Sequence, residues 1–487
     1  MTAAFIPSNH CRSIHHSLRW SAYASCVLLL SACATPPSDD AMPSRKPIAY
    51  YTSTQAFSAP VAAWPNQAWW KNYGDPQLDA LIDAALADAP TIAVASARLR
   101  RALASTQVAN AALQPQVNAN TSVTQQKQSY NYLTPPNATP QDWNDYGRAT
   151  LDFSWELDVW GKNHAALASA TSEAEAARAD MAQAQLTLAT AIASAYAEFA
   201  RQYAALDVAQ SALTVRIKTA ELFQQRQQLG LETKGSVRQV EARRAAAEFD
   251  VLSLQEKLDL QRNYIAALVG AGPDRGLTLT RPLIAREHAF GLPDQLAAEL
   301  LGRRPDITAA RLRAEAAAAR IEQARAVFYP NINLNALIGV QSLGIDALTK
   351  NGSSIGSVGP AISLPIFNGG RLRGQLRGAE AEYAEAVANY EKTLTQALQD
   401  VADAAVSQKA LGPQLSKTNA AVDAARDAWE IQHNRYQGGL ASYLDVLSAE
   451  DYLLTNLRTQ ADLRARSFSL DVALVHALGG GYATTLK

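Results

Sequence analysis

The sequence predicts an all-α body of very long helices joined to a membrane β-barrel, built by tandem duplication with four strands per chain. Three observations predict it. Of 21 prolines, none falls between Gly161 and Gly272 and only Pro413 follows Arg371, so two long proline-free regions sit at matching places in two halves. The halves also match at fixed offsets. Pro90-Thr91-Ile92 leads to Pro115 as Pro305-Asp306-Ile307 leads to Pro330, both across 25 residues. Finally, four short stretches alternate apolar with polar side chains, the pattern of a strand wetted on one face.

The amino terminus comes first. Residues 1–32 read as an export signal, because Arg12 and Arg19 precede Val27-Leu28-Leu29-Leu30, an apolar run too short to span a bilayer. Leu30-Ser31-Ala32-Cys33 resembles a bacterial lipobox, in which cleavage before the Cys leaves a thiol for lipid attachment. Cys33 is therefore the expected lipidation site, carrying N-palmitoyl and S-diacylglycerol groups; a plain cleavage site after Ala32 or Ala34 is the alternative. By the same resemblance Ala34, at the position after the Cys where Asp marks inner-membrane retention in enteric bacteria, favours the outer membrane. Residues 33–63, rich in Pro, Ser and Asp, read as a lipid-anchored flexible tether.

The first repeat covers 64–270 and the second 304–480, with a connector at 271–303 and a tail at 481–487. Past the strands the offset falls from 215 to 209. There Gly230-Leu231, Val237, Glu241 and Val269-Gly270 match Gly439-Leu440, Val446, Glu450 and Leu478-Gly479. The change lies in loops, where insertions are tolerated. Strands are expected at about 116–128, 147–159, 331–342 and 356–367. In the second, Leu151, Phe153, Trp155, Leu157 and Val159 alternate with polar residues; in the third, Ile332, Leu334, Ala336, Ile338 and Val340 do so. Such strands suit a barrel with a lipid side and a wet lumen. Four cannot close one, since about eight is the minimum, so the barrel is shared between chains.

The helical hairpins are expected at 161–270 and 371–478. Gly161 to Leu229 is 69 residues, about 100 Å at ~1.5 Å per residue, which implies a protruding coiled coil. Pro413 is expected to kink its counterpart. The returning helix carries Val237, Val240, Arg244, Ala247, Val251, Leu254, Leu258, Gln261, Ile265 and Leu268 at steps of three and four. Tyr196, Phe199, Tyr203, Leu206, Gln210, Leu213 and Ile217 are its expected partners.

Composition narrows function by exclusion. With 44 Lys+Arg against 45 Asp+Glu, no basic field exists for nucleic acid. A mean hydropathy of -0.14 excludes a polytopic helical membrane protein. Removing the signal takes Cys11 and Cys26 and leaves Cys33 alone, so neither an intrachain disulfide nor a cysteine metal site is expected. His164, His288, His433 and His476 lack metal-ligand spacing, and neither a G-x-S-x-G elbow nor a Walker A sequence occurs. No catalytic residue, metal or cofactor is expected, and the chain does not read as an enzyme.

Several segments resemble a TolC-type outer-membrane factor, in the lipoprotein branch that serves RND-type (resistance-nodulation-division) efflux systems. They are Trp69-Trp70-Lys71-Asn72-Tyr73-Gly74-Asp75-Pro76-Gln77-Leu78, Arg304-Pro305-Asp306-Ile307, and Phe328-Tyr329-Pro330-Asn331-Ile332. The strand-to-helix turns Leu157–Lys162 and Leu364–Arg371 and the stretch Asn434–Leu447 belong with them. The resemblance implies a homotrimer with a 12-strand outer-membrane barrel and a 12-helix periplasmic α-barrel. It implies an exit duct for drugs or small toxic compounds, working with a periplasmic adaptor (membrane fusion protein) and an inner-membrane RND-type pump. The location implied is the outer membrane of a Gram-negative bacterium, among its lipids and reaching into the periplasm. An exit duct for secreted polypeptides, as in type I secretion, is the alternative with the same fold. A periplasmic adaptor or structural envelope lipoprotein would lack paired amphipathic strands in duplicate.

By the same resemblance, the helix-to-helix turns Gln227–Ser236 and Tyr436–Asp445 form the periplasmic tip. Gly230, Leu231, Gly439, Leu440 and Ser442 are the implied adaptor-docking residues, although both glycines also read as helix caps. Asp445 matches an acidic position at the tunnel mouth, where three copies would form a ring; a helix-start Asp favouring the dipole is the plainer reading. Tyr436 and Ser236 match a closure pair. Ser236 and Ser448 stand where the best-known pattern has acids, so a salt-bridge lock is not carried over.

Overall fold

The chain is described by a computed structural model covering residues 42–51, 55, 57, 59–131, 135, 137–283, 291–294 and 296–483. Cys33, the export signal and His288 lie outside the described residues. The principal elements are α1 (Pro76–Asp88), α2 (Pro90–Ala111), β1 (Gln116–Lys127), β2 (Trp143–Leu157), α3 (Lys162–Gln228) and α4 (Lys234–Val269). After them come α5 (Leu296–Arg303), α6 (Pro305–Ala326), β3 (Asn331–Leu343), β4 (Ser354–Ser363), α7 (Arg371–Gln437) and α8 (Tyr443–Ala477). The order helix, two strands, long helix, returning helix occurs twice, so the tandem fold is present. Both long helices contain 67 residues, about 100 Å each. Helix α7 stays helical through Pro413.

Two compact units divide the chain, each drawing on both repeats. Among the described residues, the first holds 42–44 and those within Arg101–Glu175 and Leu312–Ala388. Its centre is one antiparallel sheet in the order β1-β2-β3-β4, with β2 pairing β3 across the repeat boundary. Register places Val117 opposite Phe153, Leu151 opposite Ile338, and Ala336 opposite Val358, all on one face. That face is bare: Ile338 is 68% exposed and Val358 78%. Asn118, Asn120, Asp152, Asn333 and Asn335 alternate onto the other, where Asp152 accepts from Asn120 Nδ2 at 2.6 Å and Thr150 Oγ1 at 3.0 Å. Among the described residues nothing pairs with the outer edges of β1 and β4.

Strand ends differ from expectation for local reasons. Strand β2 starts at Trp143, earlier than 147, because the polar Asn144 and Asp145 still pair with Gln126 and Gln125. It stops at Leu157 instead of 159, since Asp158 turns to accept the Asn163 and His164 N–H groups at 3.0 and 2.8 Å, opening α3. Strand β4 stops at Ser363, short of 367; Pro365 has no N–H to give a ladder. Below the strands, the Trp160 ring stacks on Tyr329 at 4.9 Å and its Nε1 donates to the Pro330 carbonyl at 2.8 Å. The first repeat's strand-to-helix turn is thereby pinned to the second repeat's helix-to-strand turn.

Among the described residues, the second unit holds those within 45–100, 176–311 and 389–483. Trp69, Trp70 and Tyr73 enter its core against Tyr196, Phe199, Ile265 and Phe468. Asp75 caps α1 from a buried position and also accepts the Tyr196 hydroxyl at 2.7 Å. Arg304, buried, donates to Asp306 at 2.6 Å and Asp400 at 3.0 Å, tying the second repeat's start to α7. The resembling segments therefore hold junctions together.

Two further expectations are corrected here. Residues 45–51 and 59–63, expected within a flexible tether, lie on the body: Lys46 Nζ meets Glu391 at 2.8 Å, and Val61 bridges Leu292. Along α3 the expected seam also slips. Gln210 is exposed and Ile217 only half-buried, while Ala209, Arg216, Ala220 and Phe223 are buried. Two successive steps of three, from Tyr203 to Leu206 to Ala209, shift the pattern, after which Leu213, Arg216, Ala220 and Phe223 resume the alternation of four and three.

Candidate functional site

The ends of both hairpins lie in the second unit. The α3 end is closed by Gly230 at φ +72°, and the α7 end by Gly439 at φ +73°, a conformation that L side chains resist. Leu231 N donates to Arg226 O and Leu440 N to Arg435 O, each at 2.8 Å; the glycine N–H groups reach Gln227 O and Tyr436 O at 3.0 Å. Each is the paired hydrogen-bond closure that satisfies carbonyls left free at a helix end. The apolar side chains that follow, Leu231 and Leu440, are exposed.

The next helices start differently. Thr233 caps α4 by accepting the Ser236 N–H at 3.1 Å, and the two hydroxyls meet at 2.9 Å. Ser442 caps α8 in a reciprocal box: it accepts from Asp445 N, while Asp445 Oδ2 accepts from Ser442 N at 2.9 Å and Oγ at 2.8 Å. These donors hold the exposed Asp445 carboxyl below the ordinary aspartate range. Asp445 thus serves its own helix start within the chain.

Tyr436 and Ser236 are not joined. The Tyr436 hydroxyl is buried without a hydrogen bond among the described residues, and its burial pushes the phenol upward. Its ring lies 5.6 Å from Tyr443, which packs on Phe223 at 4.4 Å; the Arg226 guanidinium stands 5.9 Å over it. Ala220, Phe223, Val237 and Val240 complete this small core between the two hairpins. Sequence reasoning missed Phe223, Arg226 and Tyr443. Phe223 was legible only by taking a second step of three, from Leu206 to Ala209, before resuming the alternation.

With this geometry in view, comparison with known proteins decides the family. The model for "Outer membrane efflux protein" matches residues 81–271 and 296–480. The chain belongs to the outer membrane efflux protein family. Its two matched blocks correspond to the two repeats. The chain is 30% identical over 461 residues to the multidrug resistance outer membrane protein MdtP of Escherichia coli K12, covering 93% of this chain and 94% of that one. It is 40% identical over 328 residues to the fusaric acid resistance protein FusA of Burkholderia cepacia, covering 66% of this chain and 61% of FusA. Among solved structures, the outer membrane protein VceC of Vibrio cholerae superposes with a TM-score of 0.82 at 48% identity, covering 86% of this chain and all of VceC. The fold is that of these outer membrane channels.

Proposed function

We propose that the chain is the outer-membrane exit duct of a tripartite efflux pump, passively conducting drugs or other small toxic compounds. One observation carries the reading: an open four-stranded sheet, bare and apolar on one face and polar on the other, in a chain whose 67-residue helices return as hairpins. An apolar face of this kind suits acyl chains, a polar face suits water, and unpaired edges invite other copies. A homotrimer supplies twelve strands. The family's membership in outer membrane efflux, and the multidrug and fusaric acid resistance named for its relatives, support this cargo class.

The hairpin ends are the docking surface for a periplasmic adaptor, presenting Gly230, Leu231, Gly439, Leu440 and Ser442. Exposed leucines beside glycines whose substitution bends the turn support that role. Tyr436, Ser236 and Asp445 border the aperture, and an inner-membrane RND-type pump supplies the energy. Cys33 carries the lipid anchor. A strain lacking this chain should become drug-sensitive and regain resistance from a plasmid copy. Drug sensitivity equal to wild type in the deletion strain, with secretion of a polypeptide lost, would replace this reading by protein secretion.

A further inference from the structure

The two repeats diverge at one buried position. Glu241 and Glu450 are equivalent, each eight residues beyond the cap of its helix. Glu241 stays within its own hairpin, accepting from Arg238 at 2.7 Å and Gln224 at 3.2 Å. Glu450 is only 4% exposed and faces the other hairpin, where Arg216 of α3, 7% exposed, brings Nη1 to 3.3 Å from its Oε2. Arg216 Nη2 turns aside to Asp451 at 2.6 Å, and Asp451 also receives Arg243 of α4 at 3.2 Å.

Both residues occupy seam positions. Leu206, Ala209, Leu213, Arg216, Ala220 and Phe223 follow one another at steps of three and four, all buried or half-buried. Tyr443, Leu447, Glu450 and Leu454 do the same on α8. A coiled-coil seam normally holds apolar residues there, and a polar substitute fixes register at a cost in stability. Arg216 Nη1 and Glu450 Oε1 are buried yet make no hydrogen bond among the described residues. Burial therefore pushes the Glu450 carboxyl above the usual glutamate range, against the opposing pull of Arg216. A seam with these properties has a single register, because only one pairs the charges. It also parts readily, because separation returns both ions to water. An all-apolar seam would have neither property.

We propose that Arg216 and Glu450 form the joint at which α8 parts from α3 when the tip opens, setting the closed register while keeping closure reversible. The joint rests on the reading of the chain as a gated duct. Both are positioning residues that act on the aperture through helix packing.

The test uses full-length protein in planar bilayers and drug efflux by a deletion strain carrying each variant. Arg216→Met strands Glu450 without that partner and should raise the open fraction about tenfold or more. Arg216→Met combined with Glu450→Leu makes the seam apolar; it should stay closed in bilayers and lose efflux at unchanged outer-membrane level. Arg216→Lys keeps the charge and should restore both readouts. Wild-type conductance and efflux in the apolar double variant would overturn the joint, as would an unchanged open fraction in a well-assembled Arg216→Met. Should Arg216→Met fail to assemble, the double variant decides alone. If the wild-type chain itself supports no efflux, the duct reading fails, while the bilayer measurement still judges the joint.

Discussion

The turn after α3 and the turn after α7 close with the same two hydrogen bonds at the same lengths, around glycines whose φ angles differ by a single degree. Three residues further on they part company. Thr233 and Ser236 start α4 with two hydroxyls, whereas Ser442 and Asp445 start α8 with a reciprocal box that includes a carboxylate. Another turn in, Glu241 remains at the surface and Glu450 is buried against Arg216. Duplication kept what the backbone demands, a residue tolerant of positive φ, and released what side chains can supply in several ways. The second hairpin adds a carboxylate at its helix start and buries the one that both hairpins share.

Substitution at the shared glycines should have the largest effect. Gly439→Trp has open space around it but must hold a left-handed conformation costing about 1–2 kcal/mol. That is too little to prevent assembly, so drug resistance should vanish while outer-membrane protein stays constant. Gly230→Trp extends the comparison: equal loss makes the two ends equivalent docking points, and resistance retained in both variants refutes docking there. Next come the caps. Ser442→Ala and Thr233→Ala should each lower stability by about 1 kcal/mol, with Ser442 the larger because Asp445 loses a donor as well. Thermal unfolding of the purified protein reads this directly, and a larger loss at Thr233 would reverse the ranking.

A smaller effect separates two carboxylates of one helix by pH. The Asp445 carboxyl is lowered in the folded chain, so its stabilisation is complete above the ordinary aspartate value and fades only as pH falls through the lower folded one. Glu450 has the opposite sign. Its raised carboxyl, facing Arg216, Asp451, Arg243 and Tyr443, favours the closed packing at low pH and loses that contribution as pH rises through the folded value. Acidification should thus reduce the open fraction in bilayers, and the apolar double variant should flatten that response. The smallest change is expected from Asp445→Ala, which should alter cation block of the pore while leaving its assembly intact; unchanged block removes the aperture ring.

Much of the fold was legible because its signals are periodic. Leu151, Phe153, Ile338 and Val340 alternate whether or not a partner strand is known, and the Pro90/Pro305 match required no structure. Asn144 and Asp145 were invisible as strand because ladder pairing uses the backbone and leaves no apolar mark. The α3 seam was legible near Tyr196 and Phe199, but a second consecutive step of three at Ala209 changed its phase and hid Arg216 and Phe223. Glu450 was visible only as a repeat anchor, since its burial depends on an arginine in the other hairpin, 234 positions away. Lys46 escaped for a similar reason: a Pro- and Ser-rich segment gives no sign of the Glu391 that holds it.

Reconstitution of the full-length protein, extracted from outer membranes, tests the central claim most directly. The account predicts a heat-resistant trimer that forms a mostly closed pore in planar bilayers and opens more often when Arg216 is replaced by Met. A monomer in the extract, or a trimer that passes no current in either form, would contradict it.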